Sequence, residues 1–275
     1  MTPALQAYSL VLAGVFGLVI GSFLNVVVYR VPAGIPLTGP SRCPACGAPV
    51  RAWQNVPVLS WIALRGRCAS CGTGISPRYP LVELATGLAF VGVVWAAMDA
   101  ERLSGTPVYS APLVAAFLWF AAAGIALALV DLDTLRLPRS IVIPTFAVAA
   151  ALFTAACVLG VPWAILGRAA IGAAALYAFY FLLRWIRPDG MGGGDVTLAA
   201  VVGLYLGWLG WGALVVGAFA AFLLGGVYGI ALILTRRAGR GQAIPFGPWM
   251  LAGAWVGIVA GEQIARAYID WAIPA

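Results

Sequence analysis

The stretch PLVAAFLWFAAAGIALALV, residues 112–130, runs without a break into Asp131-Leu132-Asp133-Thr134. Its length is close to the roughly 20 residues that a helix needs to cross the ~30 Å hydrocarbon core of a bilayer. Comparable runs recur along the chain. They define spans at about 8–29, 81–98, 112–131, 141–160, 162–183, 196–210, 212–235 and 247–269. Of the 275 residues, 63% are hydrophobic and 9% charged. Within lipid the backbone must satisfy its own hydrogen bonds, so such runs form helices. The expected fold is an all-α polytopic membrane protein of about eight transmembrane helices, with a small cytoplasmic four-cysteine loop domain. The sixth span is short, as suits a helix entered from the glycine loop Gly190-Met191-Gly192-Gly193-Gly194-Asp195.

Residues 1–29 read as the first transmembrane helix. The segment lacks a basic leading region and its apolar stretch is long enough to span, so it is no convincing cleavable signal. Residues 30–80, rich in Pro, Gly, Cys and Arg, form the loop domain, and residues 81–275 the remaining helical domain. A loop of this composition needs a staple to hold a shape.

The net charge is +7, from 16 basic and 9 acidic residues, and every basic residue is Arg. In a membrane protein such residues set topology more often than they bind nucleic acid, so the expected partner is the bilayer, with no nucleic acid. Arg30, Arg42, Arg51, Arg65, Arg67 and Arg78 share one side with Arg136, Arg139, Arg184, Arg187, Arg236, Arg237 and Arg240. Only Arg102, Arg168 and Arg266 lie elsewhere. That asymmetry places the 30–80 loop in the cytoplasm and both termini outside. The acids Asp99, Glu101, Glu262 and Asp270 then fall on the outer side, where solvation is expected.

No histidine is present. Ser-His and Cys-His catalysis and His-ligated metals are excluded, which leaves carboxylates, thiols, hydroxyls and backbone. Cys43-Pro44-Ala45-Cys46 and Cys68-Ala69-Ser70-Cys71 form a paired C-x2-C arrangement, each with Gly after its second Cys. This spacing matches a structural zinc held by four thiolates, and four thiolates leave no open position for catalysis. Structural disulfides are disfavoured in the cytoplasm, and a redox dithiol pair is the competing reading. Cys157, inside a span, reads as a packing residue.

Asp131 and Asp195 both fall at cytoplasmic ends of spans, and so share a depth. Carboxylates there are costly in lipid unless they face a partner or a water-filled cavity. Two facing carboxylates cannot both ionise easily, and the pair can act as acid and base around one water. Against this, Asp195 could cap its helix, while Asp131 and Asp133 could balance Arg136 and Arg139.

At this point several motifs, in order and nearly end to end, resemble the bacterial type IV prepilin peptidases (leader peptidase/N-methyltransferases) of the GxGD group of aspartyl proteases. They are Gly21-Ser22-Phe23-Leu24-Asn25 through Arg30 and Pro32, the four cysteines with Trp53-Gln54-Asn55-Val56-Pro57 between them, Arg78-Tyr79-Pro80-Leu81-Val82-Glu83, Asp131-Leu132-Asp133-Thr134 with Leu137-Pro138, and Gly190 to Asp195. The resemblance implies cleavage of prepilin leaders on the cytoplasmic face, after Gly and before a residue that is usually Phe. N-methylation by S-adenosylmethionine would follow. It implies Asp131 and Asp195 as the catalytic pair, with Asp133 the competing first acid. Two positions depart from the pattern: Arg139 stands where Asp is common, and Thr197 where Lys is common.

No glycine-rich Rossmann fingerprint supplies a methyl-donor site. Asn25 and Glu83, polar residues within spans, are candidates for one and equally for hydrogen bonds between helices. Two other classes remain open on the residues alone: a transporter moving ions past Asp131 and Asp195, and a thiol-redox protein using the cysteine pairs. An internal repeat, the usual transporter signature, is not visible.

Overall fold

The computed structural model describes residues 2–104, 111–235 and 244–273. Arg236, Arg237 and Arg240, counted above as cytoplasmic, lie outside the described residues, as do the side chains of Glu101, Arg102 and Asp189. The helices are α1 (Pro3–Arg30), α2 (Leu59–Ala63), α3 (Arg78–Ser104), α4 (Ala111–Thr134), α5 (Arg139–Val158), α6 (Trp163–Ile186), α7 (Gly193–Leu209), α8 (Trp211–Leu234) and α9 (Gly247–Ala272). No strand occurs among the described residues, only two isolated antiparallel bridges. Six of the eight long helices are long and apolar enough to cross a membrane. The other two are α7, with 17 residues, and α9, whose apolar run is diluted by Glu262, Gln263 and glycines. The protein is an all-helical polytopic membrane protein with a four-cysteine cluster.

The chain divides into two compact units, Met1–Ala126 and Leu127–Ala275. In the first, α1 and α3 pack through small residues. A Cβ on Gly17 would lie 2.8 Å from Gly87 Cα, and one on Gly21 only 2.6 Å from Glu83 Cα. Bare glycines spaced one turn apart thus let the two backbones approach, the usual basis of helix association in lipid. The 30–80 segment shows no helical period in sequence. It nevertheless holds a 3-10 turn at Ala52–Asn55 and the short α2, both between the cysteine pairs.

In the second unit α7 is the centre, buried on every side. A helix surrounded in this way is apolar all round, as Val196 to Leu209 is. Its Gly203 meets Gly172 of α6 so closely that a Cβ on Gly172 would lie 2.6 Å from the Gly203 carbonyl oxygen. On another face Phe153 of α5 stacks on Trp208 at 4.3 Å and meets Tyr205 edge-on at 5.1 Å. Leu206 fits against Gly217 of α8 and Gly257 of α9.

Two charges read as topological or solvated have structural uses. Arg168 donates to the carbonyls of Gly207 and Trp208 at 2.8 and 2.7 Å, satisfying the free end of α7. Glu262 accepts from the amide of Ala213 in the first turn of α8, with Gly210 and Gly212 leaving room for its carboxylate. Glu262 is therefore not simply a solvated outer acid.

The glycine contacts can be tested in detergent by thermal unfolding. Gly203→Ala is expected to cost about 1–3 kcal/mol through overpacking against α6. Gly226→Ala, where a Cβ meets nothing within 4 Å, should be neutral or stabilising by up to about 1 kcal/mol.

Candidate active site

Asp131 closes α4, and its side chain is 4% exposed. Its Oδ2 accepts a hydrogen bond of 2.9 Å from the backbone amide of Gly247, the first residue of α9. Unpaired N–H groups and the helix dipole make that end a favourable seat for a carboxylate. Pro248 follows in the first turn, where a missing N–H costs nothing. Asp133, two residues on, is exposed. Successive helical residues turn by about 100°, so positions 131 and 133 face nearly opposite ways.

After α4 the chain reverses through Leu135, which takes φ 53° and donates its amide to the Asp131 carbonyl at 2.8 Å. The reversal turns Leu137 inward, where it is buried. A Cβ on Gly194 would lie 2.6 Å from Leu137 Cβ, and one on Gly247 would lie 3.2 Å from Leu137 Cδ2. Leu137 is thus a wedge touching both the residue before Asp195 and the residue that holds Asp131.

Asp195 is the third residue of α7 and half-buried. Its Oδ2 accepts from the Gly192 amide at 3.0 Å, so it does cap its own helix. Asp131 and Arg184 both act electrostatically on its carboxylate, and so does that carboxylate on Tyr180. The fold therefore brings Asp131 and Asp195 within Coulombic reach of each other. Tyr180 leads into an aromatic group with Phe222 and Phe246, at ring separations of 5.5 and 6.2 Å. Two carboxylates, one buried and one half-buried, beside an apolar wall can share a proton and act on a water as base and acid.

The glycine run lies against other parts of the chain. A side chain on Gly193 would collide with the Arg184 guanidinium, and one on Gly194 with Leu137. Its bareness admits the chain's own groups.

The four cysteine sulfurs lie within 4.8 Å of one another, with Cys43 and Cys71 at 3.9 Å. Zinc–sulfur bonds of about 2.3 Å in a tetrahedron place sulfurs about 3.8 Å apart, so the cluster fits such an ion. Both knuckles use the same turn. Gly47 and Gly72 each have φ 72° and donate to the carbonyls of Cys43 and Cys68 at 2.9 Å. The Thr73 hydroxyl and amide pull the Cys71 thiol down to about 6, and the amides of Cys46 and Ala45 lower Cys43. In these two thiols the shift favours the thiolate that a metal requires, whereas at Cys46 the Ala48 amide is outweighed by burial and the neighbouring Cys71 and Cys43 sulfurs, which push it up to about 11.

Asn25 and Glu83 come together in the first unit. Glu83, 8% exposed, accepts from the Val58 amide at 2.7 Å, and Asn25 donates to the Tyr79 carbonyl at 3.2 Å. Sequence reasoning missed Gly247, Leu137, Tyr180 and Arg184. The turn signal Phe246-Gly247-Pro248 before an apolar run was available for the first. Arg184 was read as topological only, and nothing in sequence marks Leu137 or Tyr180 as site neighbours.

Residues 15–97 match the bacterial peptidase A24 N-terminal domain, and residues 116–230 match the type IV leader peptidase family. The chain is 35% identical to the prepilin leader peptidase/N-methyltransferase of Pseudomonas putida, covering 94% of this chain and 93% of that protein. The protein of the same name from Neisseria gonorrhoeae is 36% identical, over 97% and 96%. That from Burkholderia pseudomallei is 38% identical, over 89% and 83%. No solved structure matches the chain significantly. With relatives of this similarity along nearly its whole length, the chain belongs to the type IV leader peptidase family.

Proposed function

We propose that this protein is an aspartyl endopeptidase of the inner membrane that removes the leader from type IV prepilins or pseudopilins and then N-methylates the new terminus. The observation that carries the peptidase half is the Asp131–Asp195 pair, two carboxylates in Coulombic reach within a histidine-free chain. The names of the relatives carry the substrate class and the methyl transfer.

In this reading the apolar N-terminal helix of the prepilin lies beside the spans, and its basic leader stays in the cytoplasm. The arginine asymmetry of the sequence supports that side for the site and the outer side for both termini. One aspartate takes a proton from water, and the hydroxide attacks the scissile carbonyl after Gly and before a Phe-like residue. The other aspartate, protonated, hydrogen-bonds the carbonyl oxygen and then supplies a proton to the departing amine. Asp131, held by Gly247, and Asp195, held by Gly192, are both kept in place before substrate arrives. Such fixed orientation is where much of the rate enhancement of positioned groups originates.

The four cysteines hold one structural zinc that fixes the loop between α1 and α3. Asn25 and Glu83 belong to the methyl-donor side of the activity, with S-adenosylmethionine as donor.

Asn can still accept the Gly247 or Gly192 amide, so single amide variants preserve the fold. Asp131→Asn and Asp195→Asn are each expected to lower leader cleavage by at least about 10²-fold at unchanged membrane expression. Asp133→Asn should retain it. Gel-shift assay of a prepilin incubated with purified protein reads this, and normal processing by either of the first two variants sinks the assignment.

Elemental analysis of the purified chain should find one zinc per protein, lost in Cys46→Ser. Thiol-reagent titration of the four loop cysteines is expected to proceed only after chelation. Free reactivity with no bound zinc would favour the redox reading instead.

A further inference from the structure

The segment between the two cysteine pairs carries an apolar surface that neither the cysteine cluster nor the aspartate pair uses. Leu59 and Ile62 of α2 are 65% and 60% exposed, and Trp53 in the preceding 3-10 turn is 55% exposed. Leu59 and Ile62 stand three apart on the helix and so share one face. Large apolar side chains gathered on an exposed face mark a surface that something else covers. Around them the chain is purely basic. Arg51, Arg65 and Arg67 are exposed, and among the described residues no bond engages their guanidinium groups. No acid precedes Glu83 in the chain.

The level of α2 along the two spans of its unit identifies the cover. The amide of Val58, immediately before α2, donates to Glu83 at 2.7 Å. Glu83 stands five residues after Arg78, where α3 begins, which is about 7.5 Å of helical rise. On the other span the glycine contact sets Glu83 against Gly21, nine residues before α1 ends at Arg30, or about 13 Å short of that end. The start of α2 is therefore drawn down beside the spans rather than held beyond their ends. At that level the outer surfaces of the spans are themselves apolar, with Phe23 and Leu84 exposed. Tryptophan and aliphatic side chains, flanked by arginines at the edge of two membrane-spanning helices, suit the boundary between headgroups and acyl chains.

We propose that the stretch from Arg51 to Arg67 is an interfacial anchor: Trp53, Leu59 and Ile62 enter the bilayer at headgroup level, and the three arginines pair with anionic lipid phosphates. The Val58–Glu83 bond sets its depth, because a buried carboxylate on α3 receives an amide from the open N-terminal end of α2. The irregular backbone on either side of α2 is tolerated at that level because protein lies on one side and headgroup water on the other. Burial of apolar surface and attraction to anionic headgroups together hold such a segment against a membrane. The stretch joins the two cysteine knuckles, so the anchor also keeps the four-cysteine cluster at the membrane surface.

The test uses the full chain in nanodiscs of phosphatidylethanolamine with a minor share of phosphatidylglycerol. Benzoyl-phenylalanine replaces Leu59, Ile62 or, as a lipid-facing reference on α3, the exposed Leu88. After ultraviolet irradiation the adducts are identified by mass spectrometry, in variants whose melting temperature matches that of the unsubstituted chain. Lipid adducts are expected at 59 and 62 as at 88, with phosphatidylglycerol enriched about two-fold or more over its bulk share at 59 and 62. Arg51→Gln, Arg65→Gln and Arg67→Gln together should return that share to bulk while lipid adducts persist. Adducts to peptide at 59 and 62, from this chain or a second copy, overturn the anchor, and so does their absence while position 88 labels lipid. Phosphatidylglycerol at its bulk share before the arginines are changed overturns the pairing with anionic lipid. If a photoreactive variant melts early, quenching decides. Brominated acyl chains should quench Trp53, read as the difference between the unsubstituted chain and Trp53→Phe, and no difference overturns the anchor.

Discussion

A carboxylate within an apolar helical bundle must be given donors, and in this protein the donors are the beginnings of helices. Glu83 takes the amide of Val58 at the start of α2, and Asp131 that of Gly247 at the start of α9. Asp195 takes the Gly192 amide before α7, and Glu262 the Ala213 amide in the first turn of α8. The converse holds for Arg168, which satisfies the last carbonyls of α7. Each bond pairs a charge with the partial charge and unpaired groups of a helix end. The positions of the acids and the places where helices may begin are therefore a single constraint.

That constraint works only because the helices approach closely enough for a short side chain to reach a neighbouring backbone. Glycine contacts between α1 and α3, between α6 and α7, and between α8 and α9 provide the approach. The opposing driving force is weak in lipid, where apolar surface gains little from burial, so contact distance and hydrogen bonding carry the association. Leu137 shows the same economy at the site, filling the space that Gly194 and Gly247 leave.

Much of this was legible in the sequence, for physical reasons. Apolar runs report spans because lipid demands continuous helix, and all eight long helices overlap the runs that announced them. The paired C-x2-C spacing reports a cluster because four sulfurs must converge on one point, and they do. The shared depth of Asp131 and Asp195 followed from their places at span ends. What sequence could not supply were contacts across long separations. The Asp131–Gly247 bond joins residues 116 positions apart, and no local period encodes it. Glu262 read as solvated for the same reason, since its partner lies on a different helix. The small helix in the cysteine loop escaped because five residues are too few to show a period.

The shortness of α7 has a geometric result. It turns into α8 at Gly210, so the two helices share a level at that end. From there α8 runs 24 residues and α7 only 17, a difference of about 10 Å of rise. α7 therefore reaches its Asp195 end in fewer turns than α8 takes to reach its own far end. Within a membrane, irregular backbone such as the glycine run is tolerated only where protein or water, not lipid, surrounds it. Helix length thus acts as a ruler: it fixes how many turns separate Gly210 from Asp195 and the glycine run before it.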